Sequence, residues 1–190
     1  MTIAQIELQS FFLALLAAVL GFISAAAVDV IKDWNTRRRM RGALYREIGE
    51  MYGTLRWAVR TLNKPENTWY DLSSIFKILQ VILRADTYTN VKTQPVSTFG
   101  IKDFQTISSV YILFSSFSFH LQNFGVNSEA FEGNTDDQIS KLSSACEKVI
   151  DTVEGAIVDL DKQLLLAVSA GSGAQKELKE LFKKVEKANT

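Results

Sequence analysis

The chain has 190 residues, with 21 Lys/Arg balanced by 21 Asp/Glu, one His and one Cys. Those counts exclude a zinc centre built from Cys and His, an intramolecular disulfide, and the strongly basic surface of a nucleic-acid-binding domain. With 47% hydrophobic residues and only two prolines, the composition favours long helices over many short strands.

The neutral total hides an asymmetry near the N-terminus. From Leu8 to Val28 there are 21 consecutive residues without a charge, and six basic residues follow between Lys32 and Arg46. At about 1.5 Å per residue the uncharged run is roughly 31 Å long as a helix, close to the thickness of a hydrocarbon core. A soluble helix is rarely apolar on every face over that length. A cleaved signal peptide wants positive charge before the apolar run, whereas Glu7 is the only charge ahead of it. The residues therefore predict a transmembrane anchor over 1–34. Lys32, Arg37, Arg38, Arg39 and Arg41 form a basic cluster at its C-terminal end, which puts that end in the cytoplasm and the N-terminus outside. Trp34 lies where an interfacial aromatic is expected, and the cluster is suited to anionic membrane lipids. Ala14, Ala17, Ala18, Gly21 and Ala25 lie along one side of the anchor. Small residues there let two backbones approach closely, so the chain is expected to associate with itself through this helix.

Beyond the anchor, Leu44, Ile48, Met51, Leu55, Ala58 and Leu62 recur at spacings of three and four. That is the seam of an amphipathic helix over about 35–63, with no break separating it from the anchor. Gly49 and Gly53 lie off the seam, a spacing that admits a second helix at close range. Pro65 ends the helix. A second helix is expected over 71–85, capped by Asp71, and a polar loop over 86–100. Residues 104–128 carry no formal charge. Their serines, His120, Gln122 and Asn123 favour a buried central helix of a bundle over a second membrane span. A loop follows, then one long helix that starts at Asn134-Thr135-Asp136-Asp137 and keeps an apolar seam from Ile139 to Leu164. Gly171-Ser172-Gly173 ends it. A last amphipathic helix carries Leu178, Leu181, Phe182 and Val185 inward, with Glu177 and Glu180 among lysines on a solvated face.

The fold expected is all-α: one N-terminal transmembrane helix continuing into a cytoplasmic antiparallel bundle of about four helices. Its parts are an anchor at 1–34, a bundle at 35–170, and a linker with a C-terminal helix at 171–190. No phosphate loop, dinucleotide fingerprint or calcium loop occurs in the sequence. His120 and Cys146 stand in no catalytic pattern, and Glu47, Glu50, Asp151 and Glu154 are not singled out as metal ligands. The expectation is therefore a non-enzymatic interaction or scaffold module, without cofactor or metal. Its partners would be membrane lipids, further copies of itself and an unidentified protein, and not nucleic acid. The other reading is an oligomerising, membrane-perturbing effector of a bacterial anti-phage or toxin system.

Overall fold

The computed structural model describes residues 3–64, 69–83, 101–126 and 135–188, with side chains described over 18–64, 72–83, 103–121 and 136–188. These residues form six helices and no strand: α1 (Ile3–Leu62), α2 (Trp69–Ile82), α3 (Ile101–Val126), α4 (Thr135–Ile157), α5 (Lys162–Val168) and α6 (Gly173–Ala188). The class is all-α, as the periodicity predicts. The chain divides into two units, Met1–Arg39 and Met40–Thr190.

In the first unit every described side chain is exposed, including Val19, Phe22, Ile23, Val30 and Trp34. Among the described residues no helix is long and apolar enough to cross a membrane. The side chains of 8–17, half of the expected span, lie outside the described ones. The transmembrane assignment of 8–28 therefore draws no support from the structure.

The second unit is organised around the C-terminal half of α1. Leu44, Ile48, Met51, Leu55, Ala58 and Leu62 are all buried, together with Tyr45, Tyr52 and Val59. Fully burying one such side chain contributes about 1.5–3 kcal/mol, so this half-helix is a main source of the core. Its faces meet different partners. Leu44 and Glu47 receive the Tyr111 hydroxyl of α3, Tyr52 reaches Glu154 of α4, and Gly53 abuts Ala174 of α6. The Tyr111 hydroxyl thus ties α1 to the segment expected as a buried central helix over 104–128. As far as Val126 that segment is helical, as α3, with Ile107, Val110, Tyr111, Phe114, Phe117 and Leu121 buried. Its other side leaves Ile112 and Phe119 exposed. His120, expected in the core or at its boundary, is exposed beside Phe119.

Further along, α3 packs on α2 and α4, and α5 packs on α6. The helix α2 begins at Trp69, two residues before its expected cap Asp71. The expected loop over 86–100 and the cap Asn134 lie outside the described residues.

The single long helix expected from Ile139 to Leu164 is two helices. The break falls at 158–161, where the Asp161 carboxylate accepts the Leu164 N–H at 3.1 Å and caps α5. A hydrophobic seam continues across a cap of this kind because Leu160 and Leu165 still face the core, so periodicity alone does not register the interruption. Ser169–Ser172 then turn the chain, with Gly171 at φ 79°, a conformation that suits only glycine without strain. The turn places α6 against α1, and Leu178, Leu181 and Phe182 complete the same core.

Candidate functional site: a groove between α1, α2 and α6

The C-terminal half of α1 has a second face, away from its buried seam. Glu50, Gly53, Thr54, Trp57, Arg60 and Thr61 fall on it at steps of three and four, and Lys64 follows just past the helix end. They line one side of an open groove of about 780 Å³. Ile78 and Ile82 of α2 form the opposite wall. The turn into α6 closes the third side with Ser172, Gly173, Ala174, Lys176 and Glu177.

Two features of the sequence build this shape. Gly53 has no side chain, so α6 comes close enough that a Cβ there would lie 2.8 Å from the Ala174 Cα. Gly49 allows the same approach one turn earlier, where its Cβ would meet the Ser169 hydroxyl at 2.6 Å. The Gly49–Gly53 spacing thus admits a helix at close range.

The floor is apolar and partly open to solvent. Trp57 is 41% exposed and Ile78 39%, while Val81, one turn beyond Ile78, is 60% exposed. Among the described residues of the second unit, the other large exposed apolar side chains besides Val81 are Ile112 and Phe119, both on α3. Exposed apolar surface is ordinary when scattered and informative when gathered.

The one buried charge of the groove is Glu177, 4% exposed. It is held by Arg56 at 3.7 Å and by a close pair with Arg60. The reading of Glu177 as part of a solvated face is corrected here. Its position on α6 points at α1, where two arginines one turn apart offset the cost of burying its carboxylate. Lys64, Lys176 and Glu50 carry no ion pair among the described residues.

Other polar groups in the core are tied up structurally. The Tyr52 hydroxyl donates to Glu154 at 2.8 Å. Burial and that hydrogen bond push its pKa well above the ordinary 10.0. The Tyr45 hydroxyl accepts the Asp161 N–H at 3.2 Å and a weaker donation from Arg41 at 3.4 Å. Tyr111 donates to Glu47. Of the four carboxylates weighed as metal ligands, Glu47 and Glu154 therefore serve tyrosines on different helices. Among the described residues no three His, Cys, Asp or Glu side chains gather into a metal site. Cys146 is buried, and that burial pushes its thiol up to about 12, far from a reactive thiolate.

The residues expected at the membrane divide. Lys32, Arg37, Arg38 and Arg39 are exposed, with Arg37 near Asp33 at 3.6 Å and Arg38 stacked over Trp34 at 5.5 Å. Arg41 instead belongs to the second unit, where it bridges Asp103 of α3 at 3.0 Å and Asp161 at 3.6 Å. Ala18, Gly21 and Ala25 are exposed, and a Cβ on Gly21 would meet nothing within 4 Å. Ala14 and Ala17 have side chains outside the described ones.

Sequence reasoning missed the groove. A signal was present: Trp57 lies off the buried seam of α1, on the face that periodicity assigns to solvent. No protein-family model, curated protein or solved structure matches this chain.

Proposed function

We propose that this protein is a non-enzymatic, single-pass membrane-anchored module whose cytoplasmic helical domain binds another protein. The observation that carries the interaction role is the groove, with its half-exposed Trp57 and Ile78. Interfaces combine an apolar centre with a polar rim, and Trp and Arg supply most of their energy.

The anchor rests on the uncharged 21 residues from Leu8 to Val28 and the basic residues after them. In this reading Lys32 and Arg37–Arg39 sit at the lipid headgroups, and the bundle lies in the cytoplasm.

A second reading draws on Ala18, Gly21 and Ala25, exposed on the same helix. In it the chain assembles through that face and perturbs the membrane as an effector.

The test is a pull-down of the full chain, tagged at its C-terminus, from native membranes in detergent. Alkaline carbonate extraction first checks for integral insertion. Retention in the carbonate pellet, with a stoichiometric second protein in the pull-down, is the expected result. Release by carbonate refutes the anchor. Recovery as a homo-oligomer alone refutes the adaptor role and favours the effector.

A further inference from the structure

The groove's long wall is one continuous face of α1. From Glu50 to Thr61 its lining residues recur at three and four over 11 residue steps, about 16 Å or three helical turns, with Lys64 just past the helix end. Two of its walls are helices and the third is the turn into α6, and among the described residues there is no strand whose edge an extended peptide could join. The backbone groups of helix interiors are already satisfied, so recognition here falls to side chains. An amphipathic helix laid along α1 presents side chains and nothing else, and three turns match the length of the wall.

A small polar ligand fits less well. Such sites hold converging polar groups in an enclosed pocket. The groove is open, and Glu177, its buried charge, is already paired with Arg56 and Arg60. Among the described residues, the buried polar atoms of Arg41, Ser108 and Ser169 that lack a partner belong to side chains that do not line it.

Charge selects the occupant. Among the described residues Lys64 and Lys176 have no ion partner, the Arg56–Arg60–Glu177 cluster carries one surplus positive charge, and Glu50 is the opposing unpaired acid. The groove is thus net positive around an apolar floor. A partner with apolar anchors at i, i+3 or i+4 and i+7, flanked by Asp and Glu, is complementary in both respects. We propose that the groove binds an acidic amphipathic helix of about three turns from a partner protein. The apolar anchors would rest on Trp57 and Ile78, with the acids toward Lys64 and Lys176. This rests on the reading of the chain as an interaction module.

The probe is a displayed library of random 16-residue peptides, selected against the full chain in nanodiscs. Binding of enriched peptides is then measured by fluorescence anisotropy on wild type, Ile78→Glu, and the double variant Lys64→Glu with Lys176→Glu. All three positions reach solvent, and circular dichroism checks that each variant stays folded. The expected result is enrichment of helical spacing with excess Asp and Glu. Binding should weaken at least tenfold in Ile78→Glu. In the charge-reversed variant it should weaken tenfold at low salt, with the loss shrinking as salt rises. The proposal is overturned by enriched peptides that are basic or lack helical spacing, or by binding that ignores both variants. It is also overturned if nothing enriches, or if Ile78→Glu dissolves a self-association of the chain, which makes a second copy the occupant. A second protein still recovered from membranes by Ile78→Glu defeats the groove while leaving the adaptor reading intact.

Discussion

Gly53→Ala tests whether close approach of α6 to α1 shapes the groove. Replacing glycine by alanine inside a helix normally stabilises it by about 1 kcal/mol. At Gly53 the new methyl would sit 2.7 Å from the Ala174 Cβ and 2.8 Å from its Cα. Ordinary contact begins near 3.4 Å, so α6 must retreat by roughly 0.6 Å, and the obstacle is backbone that has no rotamer to change. Overpacking of this kind costs about 1–3 kcal/mol, which leaves Gly53→Ala between neutral and about 2 kcal/mol destabilised. Gly155 supplies the control. It lies exposed in α4, and a Cβ there meets nothing within 4 Å, so Gly155→Ala should stabilise by the full propensity of about 1 kcal/mol. The two substitutions are chemically identical, so their difference isolates the clash at about 1–3 kcal/mol. Urea unfolding of the full chain in one detergent, followed by far-ultraviolet circular dichroism, gives both values. Equal stabilisation by the two changes would show that α6 does not press on α1, and the groove built from that contact would lose its third wall.

The Tyr52 hydroxyl has a raised pKa when folded, so the folded state holds its proton more tightly than the unfolded chain. Its contribution is complete below about pH 10 and fades as pH rises through the folded value; in urea titrations Tyr52→Phe should flatten the alkaline decline, and an unchanged decline would sink this assignment. Cys146, raised to about 12 by burial, should ignore Ellman's reagent at pH 8 in the native protein and react at once in urea. Rapid native labelling would contradict its burial. Removing Arg56 and Arg60 together to Ala strands the buried Glu177 and should cost about 3 kcal/mol. Glu177→Gln leaves two arginines that reach water and should cost about 1 kcal/mol. The reverse order in urea unfolding would mean that the carboxylate finds water instead.

The legible parts of this fold are those that a single helix face encodes. The seam from Leu44 to Leu62 and the inward row Leu178, Leu181 and Phe182 are buried as their spacing predicts, because burial follows the 3.6-residue period wherever one side of a helix meets a core. What the sequence leaves open is set by pairing between helices. Asp161 reads as a solvated acid until the chain bends there and its carboxylate caps α5 beside Arg41. Glu177 reads as one more charge on a mixed surface, and only the packing of α6 on α1, 117 residues apart in sequence at the Arg60 contact, turns it into a buried ion-pair centre. The groove belongs to the same class. Its apolar residues, Trp57 and Ile78, lie outside the seams that identify their own helices, so each looks like a tolerated exposure by itself. They become a surface because Gly49 and Gly53 let α6 sit low against α1 and leave α1's outer face open along one side. Candidate sites on helical proteins of this kind are therefore better sought where an off-seam aromatic shares a helix with closely spaced glycines than by catalytic motif.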